Sequence, residues 1–170
     1  MRRRGVLAGL AATLAWRGRA RAEARFEITR SSEEWRSRLT RAEYKVLREA
    51  GTERAFSSPL DKEKRAGLFH CKGCDLPLYS SEAKFDSGTG WPSFYEALPG
   101  AVGLRADRSF FMTRTECHCR RCGSHMGHVF DDGPPPTGKR HCINGIALHF
   151  VPGKTAPAKT APGKPAQGKG

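Results

Sequence analysis

Nowhere in this 170-residue chain do apolar residues run on for the about twenty positions a helix needs to cross a hydrocarbon core. The best candidate, Gly5 to Trp16, is a weakly apolar stretch of twelve, so no stable membrane span is expected. Acidic residues are scarce at both ends. Residues 1–24 set six arginines against Glu23 alone, and residues 152–170 hold four lysines and no acid. The formal charge of +13 therefore divides into +5, +4 and a body of only +4. A body charged so weakly, with its signs alternating, lacks the basic stripe that phosphate docking requires, and no nucleic-acid partner is expected. Repeats at solenoid or propeller spacing are also missing. Hydrophobic content is 38%, enough for a modest core that would gain from a metal or a cross-link.

The ends read as separate from the body. Arg2-Arg3-Arg4, the short apolar stretch and the small-x-small site Ala22-Glu23-Ala24 make an export signal over residues 1–24, similar to the twin-arginine type, which implies a periplasmic or exported protein. Arg17, Arg19 and Arg21 crowd the cleavage side, where such signals carry few charges. The alternative is a basic, disordered start on a cytoplasmic protein. After Val151 the chain is built from Lys, Pro, Ala and Gly with almost nothing to bury, so residues 152–170 read as a disordered tail. One domain remains, residues 25–151, expected to act as a monomer.

Ser31-x-x-Glu34 and Thr40-x-x-Glu43 are capping boxes, each predicting a short helix behind it. Trp35, Leu39, Tyr44 and Leu47 then fall at helical spacing as core anchors, and Gly51 is placed to end the second helix in a left-handed conformation. From Phe69 to Phe150 the pattern changes to short aromatic and β-branched stretches between Gly, Pro, Ser and Asp. That pattern predicts an antiparallel β core, and the chain as a whole reads as mainly β with short N-terminal helices.

Cysteine carries most of the chemistry. Cys71-x-x-Cys74 and Cys119-x-x-Cys122 are two knuckles far enough apart to sit on separate hairpins. Four thiolates suit one tetrahedral zinc ion, which would be structural because a full shell leaves no open position. Gly73 and Gly123 would permit the tight turns. Two disulfides, a redox-active pair and unlinked core thiols are the competing readings, and a pair of such motifs is a stronger signal for zinc than for any of them. Cys117 and Cys142 are left over. Cys142 lies in Lys139-Arg140-His141-Cys142-Ile143-Asn144, where neighbouring cations favour the reactive thiolate. Asn144, two residues on, would share its side of an extended strand. Spacing alone leaves an inert buried cysteine as the commoner case.

Two further segments make the reading specific: Gly88-Thr89-Gly90-Trp91-Pro92-Ser93-Phe94, and His125-Met126-Gly127-His128-Val129-Phe130-Asp131-Asp132-Gly133-Pro134. Together with Arg140 to Asn144 and both knuckles, they resemble the zinc-bearing branch of the B-class methionine sulfoxide reductases, from about Phe26 to Phe150. The resemblance implies two antiparallel sheets with a zinc site away from the active site, and thiol-dependent repair of oxidised proteins carrying methionine-R-sulfoxide. It implies Cys142 as nucleophile, with His125, His128 and Asn144 in the catalytic group and Trp91, Phe94 and Arg140 at the substrate. Cysteine attack on an electrophilic sulfur requires a proton for the departing oxygen, and either histidine suits that task. The resulting sulfenic acid must be reduced by another thiol, from a thioredoxin-like partner or a similar reductant. Here the chain departs from many relatives, whose resolving cysteine stands at the position of Thr89. Cys117 is then the one candidate resolver within the chain, against a reading as a small buried residue. His70, His118 and His149 belong to no motif and read as structural. The rival functions are a zinc-ribbon binding module and a general disulfide oxidoreductase.

Overall fold

A computed structural model describes residues 26–109, 113–153 and 155. The expected export signal lies outside the described residues, as does the expected tail apart from residues 152, 153 and 155. Among the described residues no helix is long and apolar enough to cross a membrane.

Helices α1 (Ser32–Arg38) and α2 (Arg41–Glu49) begin at the two capping boxes. Ser31 Oγ accepts from the Glu34 amide at 3.2 Å while the Glu34 carboxylate accepts from the Ser31 amide at 2.8 Å. Thr40 and Glu43 repeat the exchange at 3.3 and 2.8 Å. Each box satisfies amides that the first turn leaves without partners. Trp35, Leu39, Tyr44 and Leu47 are all buried, as their spacing predicts. The end of α2 differs from expectation. Ala50, not Gly51, takes the left-handed conformation, at φ 52°. Gly51 is needed for closeness instead, because a Cβ there would stand 2.8 Å from the Lys45 carbonyl oxygen.

The β core forms two antiparallel sheets. In the smaller, β1 (Gly67–Cys71) lies between β2 (Pro77–Ser80) and β9 (Leu148–Pro152). The larger runs β3 (Lys84–Phe85), β4 (Ser93–Phe94), β8 (Arg140–Ile143), β7 (His125–Phe130), β6 (Arg114–Cys119), β5 (Val102–Asp107). Aromatic rings join them. Phe94 of the larger sheet stacks on Tyr79 at 4.3 Å and meets Phe69 edge-on at 5.0 Å, both from the smaller sheet. Helix α2 packs on β7 and on the short 3-10 turn Gly145–Ala147. Its Arg48 reaches the second knuckle, donating to the Cys122 carbonyl at 3.1 Å and to Ser124 Oγ at 3.3 Å.

Candidate active site and metal centre

The two knuckles have the same backbone. Cys71 donates its amide to Leu76 and Cys119 donates to Ser124, while Asp75 donates back to Cys71 and Gly123 to Cys119. The left-handed residue of each turn is therefore Gly123 (φ 68°) in one and Asp75 (φ 63°) in the other. Gly73 does not hold that position. It lies against Ser124, where a Cβ would be 2.9 Å from the hydroxyl. All six cysteines are unlinked, so the knuckles are not disulfides. Their four sulfurs cluster within 4.8 Å of one another, with Cys71–Cys122 at 3.7 Å and Cys74–Cys119 at 3.5 Å. Sulfurs about 2.3 Å from a shared tetrahedral ion would lie about 3.8 Å apart, and the donor set fits a metal ion. None of the four lines the cleft described next.

That cleft, about 170 Å³, is lined by Thr52, Trp91, Arg114, Gly127, His128, Phe130, Cys142 and Asn144. Strand register builds it. Cys142 is opposite His128 in β7 and Ser93 in β4, so these three share one face of the sheet. Their chain neighbours His141, Val129 and Phe94 share the other face, toward the core. Phe94, expected at the substrate, is consequently fully buried between the sheets. His125 and His128 are three apart, which would put them on opposite faces of a regular strand. Both belong to β7, where one extra residue in the pairing with β6 resets the alternation. The rings then meet edge-on at 5.4 Å. His128 lines the cleft, whereas His125, 3% exposed, stands behind it.

Both imidazoles are held by carboxylates that no motif announced. His128 Nε2 lies 2.8 Å from Asp107 Oδ2, and His125 Nδ1 lies 2.8 Å from Glu116 Oε1. Asp131 and Asp132, the carboxylates nearest in sequence, are engaged by Lys139 and Arg140 instead. Burial lowers the pKa of His128, against the opposing pull of Asp107. Burial alone would raise the Glu116 carboxyl, but His125 and Arg105 outweigh it and hold the group at about 2.

Cys142 also differs from expectation. Burial dominates and raises its thiol above the ordinary value, although Arg140 and the Thr89 hydroxyl both pull it down. The resting group keeps its proton at neutral pH. Arg140 does not line the cleft; it is gripped by Asp132 at 2.9 and 2.8 Å, with its guanidinium 4.5 Å over the Phe130 ring. It acts on the sulfur. Thr89 begins a hydroxyl chain, bonding Ser87 at 2.8 Å, which bonds Ser93 at 2.7 Å.

Glu53 had no sequence signal, yet it assembles one wall. Its carbonyl accepts from Trp91 Nε1 at 3.2 Å, its amide donates to Asn144 Oδ1 at 2.9 Å, and its carboxylate accepts from the Gly145 and Ile146 amides. Asn144 also donates to the Met126 carbonyl at 3.0 Å. Its amide is thus fixed, with one N–H not used by these bonds. Cys117, the candidate resolver, is fully buried on the core side, 3.2 Å from the Tyr79 hydroxyl, and burial pushes its thiol up to about 12.

A lone cysteine facing an indole and an imidazole, on a two-sheet fold clasped by a separate four-sulfur centre, defines a small thiol enzyme. The chain belongs to the SelR domain family, whose model matches residues 39–152. It is 53% identical over 124 residues to a peptide methionine sulfoxide reductase MsrB of Methanosarcina barkeri, covering 72% of this chain and 87% of that protein. A protein of the same name from Pseudomonas entomophila is 53% identical over 127 residues, 74% of this chain and 97% of its own. Another, from Thiobacillus denitrificans, is 56% identical over 120 residues, 70% and 91% of the two chains.

Proposed function

We propose that this chain is a peptide-methionine (R)-S-oxide reductase that repairs oxidised proteins. The reading rests on one observation: Cys142, His128, Trp91 and Asn144 converge on a single cleft, in a chain about half identical to reductases of that name.

The cleft supports a specific proton path. Asp107 accepts a hydrogen bond from Nε2–H of His128, leaving Nδ1 as the basic nitrogen. This nitrogen takes the Cys142 proton as the sulfur attacks the sulfoxide sulfur, then returns it to the departing oxygen, with Asp107 stabilising the transient imidazolium. The oxygen passes from substrate to Cys142, and methionine leaves. Atoms balance without any outside proton. Trp91 offers a flat apolar wall to the S-methyl group, and the remaining Asn144 N–H steadies the oxygen, which together select the epimer. Two equivalents of external thiol, from a thioredoxin-like protein or another reductant, then convert the Cys142 sulfenic acid back to thiol, releasing water and a disulfide.

Zinc is the ion best suited to the four sulfurs, and its role there is to fasten the ends of β1 and β6. Residues 1–24 are read as an export signal and the working compartment as the periplasm; mature N-terminal sequencing after cell fractionation tests this.

The decisive assay offers each sulfoxide epimer of dabsylated methionine with dithiothreitol. Turnover of the R form alone, falling roughly a thousandfold or more in Cys142→Ser, is expected. Unaltered activity in that variant overturns the reading.

A further inference from the structure

Three side chains with no part in the cleft meet beside the first knuckle. His70 and His149 are directly opposed in the β1–β9 ladder. A cross-strand pair places its Cβ atoms about 5 Å apart on one face of a sheet, and these two rings lie 5.2 Å apart. Asp75 comes from the knuckle turn. Its left-handed backbone aims the carboxylate back over the strands, so Oδ1 stands 3.0 Å from His70 Nδ1 and 2.9 Å from His149 Nε2. The three ligand atoms lie within 4.8 Å of one another.

From this arrangement we propose a second metal site, separate from the four cysteines, that takes a first-row divalent transition ion through His70, Asp75 and His149. Two imidazoles and a carboxylate suit the borderline ions, zinc, nickel, cobalt and copper, rather than magnesium or calcium. Ligands about 2.05 Å from a metal and at right angles stand about 2.9 Å apart, which is the spacing seen between Asp75 and each histidine. The site is open to solvent, because the Asp75 side chain is 75% exposed, and water can complete the shell. Lys72, the neighbouring cation, is paired with Glu43 at 3.4 Å. Both histidines sit on paired strands and Asp75 in a turn closed by a hydrogen bond to Cys71, so little ordering is needed on binding. An ion there would fasten β9 to β1 and to the knuckle.

Nickel is the probe, added to untagged protein already loaded with one zinc. Calorimetry should show one saturable Ni²⁺ per chain. His149→Ala and Asp75→Asn should each weaken it by about tenfold or more, with zinc content and sulfoxide turnover unchanged. Asparagine tolerates the left-handed backbone at position 75. In the unmutated chain, Ni²⁺ should broaden the proton resonances of the His70 and His149 rings first, a reading that does not depend on any variant folding. Absence of saturable uptake, equal affinity in His149→Ala, or first broadening at His125 and His128 overturns the proposal.

Discussion

Cys117 and Cys142 point to opposite faces of the same sheet. Cys117 is opposite Gly127 and Cys142 opposite His128, consecutive residues of β7, and two strand spacings of about 4.8 Å separate their backbones. A disulfide needs Cα atoms within about 7 Å and converging Cβ vectors, and neither condition is met. The candidate resolver is therefore a core residue. Cys117→Ala should keep near wild-type turnover with dithiothreitol. Mass spectrometry after one turnover without reductant should find sulfenic acid on Cys142, trappable by dimedone, and no Cys117–Cys142 link. Such a link would require β7 to open.

Gly127 lets β7 and β8 approach closely at the cleft. A side chain there would overlap the Cys142 carbonyl oxygen, and the residue sits where β7 carries its extra position. Gly127→Ala should lower unfolding free energy by about 2 kcal/mol or more and reduce kcat/KM further than the stability loss explains, because Cys142 and His128 would move apart. Urea titration beside steady-state kinetics checks both parts.

Much of this was legible in the residues themselves, for identifiable reasons. Capping boxes are local, so both helices start where their sequences say. The knuckles and Cys142 are short-range patterns of a rare residue, and the fold brings the four sulfurs together as the spacing predicts. What escaped depends on pairing. Asp107 and Glu116 reach the histidines across strands, and no spacing along the chain encodes register. Phe94 adjoins a cleft motif, yet the alternation of β4 turns it into the core. Glu53 works partly through its backbone, which leaves no side-chain signature. His70 and His149 are 79 positions apart and read as unrelated until β1 meets β9.

The four-sulfur centre should contribute to folding outright, since thiols this close cannot all lose their protons without a cation among them. Cys74→Ser should lose bound zinc and lower the melting temperature together. Zinc analysis and thermal melting of the same sample test the link. A zinc-free variant as stable as the parent would assign the knuckles some other role.

Arg140 lowers the Cys142 pKa against burial, which raises it. Removing the guanidinium while keeping its bulk, in Arg140→Met, leaves burial unopposed by that charge, so the pKa must rise. The pH profile of iodoacetamide alkylation should shift to higher pH, with slower labelling at pH 8. Asp132 loses its partner in the same variant. Asp132→Asn, which keeps the Arg140 charge and removes a carboxylate that raises the thiol pKa, should instead shift the profile to lower pH. A shift to higher pH in both variants would mean that the placement of Arg140, more than its charge, governs the thiol.

Glu116 gives stability a defined acid limb. Its carboxyl is held at about 2, below the ordinary 4.5, because His125 and Arg105 outweigh the effect of burial. A depressed carboxyl stabilises the fold fully above its unfolded pKa, and the contribution fades as pH falls through the folded value. Glu116→Gln removes the titrating group and should be less stable than the parent at pH 6. That gap in urea midpoint should narrow as pH drops from about 4.5 to about 2, where the parent also becomes neutral at this position. Acid release of metal from the cysteines affects both proteins alike and cancels in the difference. A gap that stays constant across the window would mean that the charge of Glu116 adds nothing to its 2.8 Å contact with His125.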